Sequence, residues 1–243
     1  MAESAESGER PVRHEIRLSG SGGQGIILAA TLLADAAVAS GREVIATQSY
    51  GPEARGGASK AEVIVADEQI DFPEVTAPGI TVCLSQEAFD AYAAQTVPGG
   101  LVVYDERLVE PTPLPERRLV GLPFTHLAET ELGKAIAANI VMLGAVQELT
   151  GVVGAPALAD AVRRRLPAKI VELNLKALKL GHDGVNVIII VAGVAGLAVA
   201  TFFLVELLVD AVRRRQFLDI GVAAGVVALT VWLLFTYGDS LLQ

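Results

Sequence analysis

The sequence predicts an α/β fold, a mostly parallel sheet covered by helices on both faces, followed by a two-helix transmembrane hairpin. Three observations support this prediction. Strand-like apolar segments alternate with segments of helical length, and the first strand candidate ends in a glycine-rich turn that opens an apolar helix. Apolar residues also accumulate after Gly184, where residues 185–205 and 220–238 carry no charge. The first two features are typical of a Rossmann-like domain, and the third of a membrane anchor.

The order of the elements follows from local patterns. Five segments have the length and composition of strands: residues 14–19, 43–47, 60–66, 80–84 and 101–104. Five further segments have helical length: residues 26–38, 86–95, 129–149, 157–166 and 169–180. Gly41 ends the first of these helices, and the polar sequence at residues 181–184 is predicted to end the last.

Composition divides the chain into three parts. Residues 1–12 are polar, have an acidic excess and lack the apolar core of a signal peptide, so they are predicted to be a disordered tail. Residues 13–182 form the α/β domain. Residues 185–238 form the anchor, because each uncharged stretch reaches the ~20 residues that cross a bilayer as a helix. The mean hydropathy of +0.49 agrees with a chain of which one part lies in lipid.

Charge and cysteine content exclude several classes of function. The net charge of −9 gives no general attraction to phosphate backbones, so nucleic acid is not expected as a partner. Cys83 is the only cysteine, and a chain with one thiol cannot hold an iron–sulfur cluster by itself. His14, His126 and His182 show no metal-ligand spacing, and no metal site is predicted.

The glycine-rich turn is the first candidate site. It comprises Gly20, Ser21, Gly22, Gly23, Gln24 and Gly25, with the spacing G-x-G-x-x-G between a strand and a helix. Backbone N–H groups at such a helix start can receive an anion. A dinucleotide fold usually adds an acid at the end of the second strand, but Gln48 and Ser49 stand there. The glycines therefore indicate either an anion site or close packing of strand against helix.

The loop at residues 50–57 is the second candidate site. It follows the second strand, so we expect it to face the first glycine turn across the crevice at the carboxyl edge of the sheet. Its candidate residues are Tyr50, Glu53, Arg55, Gly56 and Gly57. A guanidinium beside two glycines suits a phosphate, a carboxylate or an acidic group of a partner. The alternative is a surface turn with solvated charges.

Together, the two segments resemble a known family. Gly-Ser-Gly-Gly-Gln-Gly at residues 20–25 and Ser-Tyr-Gly-Pro-Glu-Ala-Arg-Gly-Gly at residues 49–57 are similar to sequences in the gamma subunits of 2-oxoacid:ferredoxin oxidoreductases. The sequence at residues 172–177 resembles the end of those subunits. The resemblance covers roughly residues 13–181 and stops before the apolar stretches.

The resemblance implies a complex that oxidatively decarboxylates a 2-oxoacid and passes the electrons to ferredoxin. Such complexes use thiamine diphosphate, Mg, iron–sulfur clusters and coenzyme A, and none of these is expected to be held by this chain alone. The implied partners are the alpha and beta subunits, with ferredoxin reached through the complex. The resemblance assigns the residues of both glycine segments to docking at the active-site mouth or to contact with coenzyme A. Asn139, in the middle of a helix, is interpreted as facing a partner subunit.

Two other functions and one question of topology stay open. The chain could be a stand-alone nucleotide-binding enzyme, or a membrane adaptor that keeps the fold without taking part in turnover. The anchor predicts a position at the cytoplasmic face of the cell membrane, with the domain and Gln243 both in the cytoplasm. Residues 213–215, all arginine, would then lie outside, contrary to the positive-inside tendency. The alternative is a hairpin that is re-entrant or lies on the inner surface.

Overall fold

The computed structural model describes residues 12–49 and 58–187. The chain divides into two compact units, Met1–Val185 and Asn186–Gln243, and the first contains the α/β domain. Among the described residues, no helix has both the length and the apolar character needed to cross a membrane. The predicted tail and both predicted transmembrane stretches fall almost entirely outside the described residues.

Within the residues that the structure describes, the domain is built on one sheet of six strands. The strands are β1 (Arg13–Ser21), β2 (Glu43–Ser49), β3 (Ala58–Ala66), β4 (Ile80–Cys83), β5 (Leu101–Asp105) and β6 (Arg118–Leu122). Their order across the sheet is β2-β3-β1-β4-β5-β6. The five predicted strands are all present. The sixth, β6, was not predicted, because it is a short edge strand. Its five residues include a glycine and do not alternate between apolar and polar.

Helices cover both faces of this sheet. They are α1 (Ile26–Ala39), α2 (Gln86–Tyr92), α3 (Phe124–Leu132), α4 (Ala138–Thr150), α5 (Ala155–Arg165) and α6 (residues 168–187), with short 3-10 helices at Ala93–Gln95 and Ala135–Ala137. One buried cluster joins α1, α4 and α5 to the sheet, and a second, smaller one contains Phe89 of α2 and Cys83 of β4. The predicted α/β class, with helices on both faces, is therefore confirmed.

The strand directions agree with the predicted mostly parallel sheet and add one detail. β1, β4, β5 and β6 are parallel, but β3 is antiparallel to both of its neighbours, β1 and β2. The reason is the length of the connection. Only residues 50–57 join β2 to β3, whereas a parallel crossover needs about a dozen residues or more. Because β2 and β1 are both antiparallel to β3, they run in the same direction.

Two predicted helix boundaries were wrong. The segment at residues 129–149 is not one helix, because Gly133 has a left-handed backbone (φ 64°) and ends α3 before α4 begins. The predicted break at residues 181–184 is helical instead. A side chain at Gly181 would collide with the backbone of Val141 in α4, so this glycine permits a close helix crossing. Gly144 has the same role opposite Leu178.

Candidate functional site

The first glycine loop lies at the carboxyl end of β1 and leads directly into α1. Gly23 (φ 94°) and Gly25 (φ 73°) adopt left-handed backbone conformations that L side chains rarely adopt. Gly22 and Gly23 are exposed, and a side chain at either position would meet no atom within 4 Å. Gly25 is half-buried, and its carbonyl accepts the first helical hydrogen bond, from the Ala29 N–H at 3.1 Å. The apex of the loop is thus open to a ligand or partner, and its base is packed.

Gln24 fastens this loop to the next strand of the sheet. Its Oε1 accepts a hydrogen bond from the Ser21 N–H (2.6 Å), and its Nε2 donates to the carbonyl of Leu84 (2.8 Å), directly after β4. The chain leaves β1 towards β2 and leaves β4 towards β5, so the two strands flank the switch point of the sheet. Gln24 therefore lies at the base of the crevice where ligands bind in such folds. Both its Oε1 and its Nε2 make hydrogen bonds within the domain.

Asn139 holds the base of the same loop. It is 3% exposed, and its Nδ2 donates a hydrogen bond to the Gly25 carbonyl at 3.0 Å. A side chain at Gly25 would collide with this amide. The interpretation of Asn139 as a partner-facing residue was therefore wrong, because its amide is engaged inside the domain. The only signal in the sequence was an amide within the apolar first half of α4.

A carboxylate stands beside the glycine loop. Glu87, in the first turn of α2, is exposed, and the pKa of its carboxyl is lowered by its own backbone N–H, by the Ser85 hydroxyl and by the Ser21 hydroxyl. The start of α1 offers N–H groups to an anion, whereas the charge of Glu87 opposes one. The edge is consequently electrostatically mixed, with a carboxylate near Ser21 and backbone N–H groups at the start of α1.

Asp105 organises the adjoining end of β5. It is 0% exposed, and its Oδ2 accepts hydrogen bonds from the N–H (2.8 Å) and Oγ1 (2.6 Å) of Thr125, at the start of α3. Its Oδ1 accepts from the N–H of Arg107 at 3.0 Å. Asp105 was not among the predicted site residues, although an acid at the end of an apolar strand is a recognisable signal. Asp105 fixes the turn after β5 and the first turn of α3 to each other.

A groove of about 210 Å³ runs between these elements. The glycine loop contributes Gly23 and Gln24 to its lining, and Leu108 and Ile136 contribute from the turn after β5 and from the short helix before α4. We call this the loop groove. Most of its lining is aliphatic, and none of the described residues that line it is a lysine or an arginine.

The second predicted segment lies outside the described residues. Tyr50, Glu53, Arg55, Gly56 and Gly57 all belong to residues 50–57. The strand ends that flank them pair across the sheet, with Ser49 opposite Lys60 and Ala58 opposite Ser21. These flanking ends therefore lie at the same edge of the sheet as the first glycine loop. That the two segments share one rim stays a prediction.

A buried ion pair supports β1 and β3 behind this edge. Arg17 is 3% exposed, and its guanidinium pairs with Glu62 at 2.7 Å and donates to the side chain of Gln95 at 2.6 Å. It also lies 5.5 Å from the ring centre of Tyr92. Because the charge is paired and its hydrogen bonds are made within the domain, the role of Arg17 is structural. No sequence pattern predicted this ion pair.

Cys83 and the remaining titratable groups offer no redox or metal chemistry in the described part of the chain. Burial raises the pKa of the Cys83 thiol to about 12, which keeps it neutral and unreactive. Within residues 12–49 and 58–187, no three His, Cys, Asp or Glu side chains are grouped so that they could hold a metal ion. The described part of the site presents backbone N–H groups, aliphatic surface and isolated charges.

Known proteins are similar to this chain over the whole α/β domain. The family model described as pyruvate ferredoxin/flavodoxin oxidoreductase matches residues 15–184. The 2-oxoglutarate synthase subunit KorC of Methanocaldococcus jannaschii is 49% identical over 175 residues, which cover 71% of this chain and 94% of that protein. The structure of a keto/oxoacid ferredoxin oxidoreductase gamma subunit from Geobacter sulfurreducens superposes with a TM-score of 0.66 at 42% identity, covering 72% of this chain and 97% of that one.

A further relative matches over only part of its length. The ketoisovalerate oxidoreductase subunit VorA of Methanothermobacter marburgensis is 34% identical over 172 residues, which cover 69% of this chain and 36% of that protein. The VorA chain therefore contains the matching domain and a further segment that is longer than this domain.

Proposed function

The chain belongs to the pyruvate ferredoxin/flavodoxin oxidoreductase family, and from this premise we propose that it is the gamma subunit of a 2-oxoacid:ferredoxin oxidoreductase. The observation that carries the proposal is the extent of the match. The α/β domain accounts for 94% of the KorC subunit and 97% of the Geobacter gamma subunit. The domain thus corresponds to an entire subunit of such a complex.

The proposed complex converts a 2-oxoacid and coenzyme A to an acyl-coenzyme A and carbon dioxide, with the electrons passing to ferredoxin. We propose 2-oxoglutarate as the substrate, because the KorC relative is 49% identical and the VorA relative 34%. Thiamine diphosphate with Mg, and the iron–sulfur clusters, belong in this proposal to the other subunits. Cys83, as the only cysteine, cannot supply the roughly four thiolates that a cluster needs.

The contribution proposed for this chain is recognition at the carboxyl edge of its sheet. The open backbone at Gly22 and Gly23 permits close approach by a partner subunit or by coenzyme A. A stand-alone dinucleotide enzyme is disfavoured, because β2 ends at Gln48 and Ser49 without the acid that binds ribose hydroxyls, and Glu87 opposes a phosphate near Ser21.

Co-purification tests the subunit assignment. The full chain, tagged and extracted in mild detergent, is expected to bring with it the alpha and beta subunits together with thiamine diphosphate. Recovery of the chain without any thiamine-containing partner would instead support the adaptor function. Nicotinamide or flavin bound to the isolated chain would support the nucleotide-binding enzyme.

Arg55 and Gly23 offer point tests within the assembled complex. Arg55→Ala should lower turnover or assembly while the domain stays folded, because a loop guanidinium serves recognition and not core packing. Gly23→Val should be more damaging, because a β-branched residue resists a φ of 94° and obstructs the loop apex. Unchanged turnover in an intact complex carrying Arg55→Ala would refute the role of that residue.

We further propose that residues 185–205 and 220–238 tether the complex to the cytoplasmic face of the membrane as a spanning hairpin. The support is their uncharged length, which reaches the ~20 residues of a spanning helix. Gln216→Cys, treated with a membrane-impermeant thiol reagent in intact cells, tests the topology. Labelling supports the spanning hairpin. Protection until the membrane is opened would show that residues 213–215 stay inside, as expected for a hairpin on the inner surface.

A further inference from the structure

Two large aliphatic side chains that line the loop groove are exposed to solvent. Ile136 is 64% exposed and Leu108 is 43% exposed, and both line the groove together with Gly23. Single exposed aliphatic residues are ordinary on protein surfaces, but two that border one concave, mostly aliphatic groove form a patch typical of an interaction site.

Both side chains are held in place by ordered backbone. Ile136 lies in the 3-10 helix Ala135–Ala137, which is closed by a hydrogen bond from the Ala137 N–H to the Lys134 carbonyl at 3.0 Å. The N–H of Leu108 donates to the carbonyl of the buried Asp105 at 3.1 Å. The patch is thus presented in a fixed geometry, so a partner can bind it without first ordering these segments.

The charges beside the groove indicate the chemistry of its occupant. An adjoining depression is lined by Glu106 and Glu110, with Arg107 as the one cation among its described lining residues. None of the described residues that line the groove itself is cationic. A polyphosphate would find no cation among the described lining residues of the groove, and beside it two carboxylates against one guanidinium. An aliphatic or aromatic side chain flanked by a lysine or an arginine fits both surfaces.

We propose that the loop groove receives an apolar side chain, flanked by basic residues, from the partner subunit that corresponds to the remainder of the VorA chain. The inference rests on the proposed function. In VorA the matching domain is 36% of a longer chain, so it is joined covalently to the rest of that protein. A separate subunit has to keep the equivalent contact by non-covalent means. Among the described residues, Ile136 and Leu108 are large exposed apolar residues at the predicted functional edge.

The test compares two arginine substitutions in the full chain. Ile136→Arg removes an apolar contact from the groove. It also places a cation there, which is repelled by the basic residues proposed for the partner. Val38→Arg is the matched control, because Val38 is 61% exposed on α1 and does not line the groove. The affinity of each variant for the purified partner subunits is measured by surface plasmon resonance, with the chain immobilised. Circular dichroism verifies that both variants are folded.

We expect Ile136→Arg to weaken partner binding tenfold or more and Val38→Arg to leave it unchanged, as for a residue at the centre of an interface. Equal affinity of both variants and the original chain would overturn the groove assignment while leaving the subunit assignment intact. Failure of the original chain to bind any partner would instead overturn the proposed function. A raised KM for coenzyme A with unchanged assembly would identify the groove as a ligand path and also overturn the docking proposal.

Discussion

Replacing Gly25 by alanine probes how the candidate site is built. The added methyl group would have to occupy the space of the Asn139 amide, and the residue would have to keep a φ of 73°. Two separate costs therefore add. A left-handed backbone costs an L residue about 1–2 kcal/mol. Displacing the buried Asn139 amide from the Gly25 carbonyl costs a further ~1–3 kcal/mol, as for other buried hydrogen bonds left unmade.

Gly23 supplies the matched control. Its φ of 94° carries a similar backbone cost, but a side chain there would meet no atom within 4 Å. Gly23→Ala should therefore lower the free energy of unfolding by about 1–2 kcal/mol, and Gly25→Ala by about 2–5 kcal/mol. In an Asn139→Ala background the obstructing amide is absent. The additional cost of Gly25→Ala should then fall to about 1–2 kcal/mol.

Urea unfolding of the full chain, followed by far-ultraviolet circular dichroism, measures these free energies. Tryptophan fluorescence is unsuitable, because the only tryptophan, Trp232, lies outside the α/β domain. Equal costs for Gly25→Ala and Gly23→Ala would refute the packing of Gly25 against Asn139. Strict additivity of Gly25→Ala and Asn139→Ala would refute it as well, because residues in contact should couple.

Three other residues of the domain give further predictions. Gln24→Ala should lower the free energy of unfolding by about 1–3 kcal/mol in the same urea assay, because it removes both hydrogen bonds that fasten the glycine loop. Asp105→Asn should cost about 1–3 kcal/mol, since an amide cannot replace the carboxylate at all three donors, and an unchanged unfolding curve would contradict this. Cys83 should resist thiol reagents in the folded chain and react after denaturation. Because folding raises the pKa of this thiol from 9.0 to about 12, the stability it contributes should be complete below pH 9.0 and decline as the pH rises towards 12.

The sequence predicted the class of fold and the glycine loop because both depend on local pattern. Strand-like segments alternating with helices indicated the sheet, and G-x-G-x-x-G marked the junction of β1 and α1. The direction of β3 could have been anticipated from the short connection at residues 50–57. Gly181 misled the prediction of a helix end. Whether a glycine ends a helix or permits a close crossing depends on the element that packs against it, and here that is α4.

The supports of the site were harder to predict, because they depend on contacts between distant segments. Asn139 and Gly25 are 114 residues apart in the chain, and Gln24 and Leu84 are 60 apart. Nothing local indicates that these groups meet. The exposure of Ile136 could not be predicted either. The sequence placed this isoleucine in one long helix, where it was expected to face the core, but Gly133 ends that helix before it.

The most direct test of the subunit assignment is reconstitution of activity. The partner subunits, purified without this chain, are supplied with thiamine diphosphate, Mg, coenzyme A and 2-oxoglutarate, and the reduction of ferredoxin is followed spectroscopically. Addition of the full chain should restore reduction that depends on 2-oxoglutarate and coenzyme A, saturating as the subunits assemble. If the partner subunits reduce ferredoxin at the same rate with and without the chain, it is not a required gamma subunit and the account is wrong.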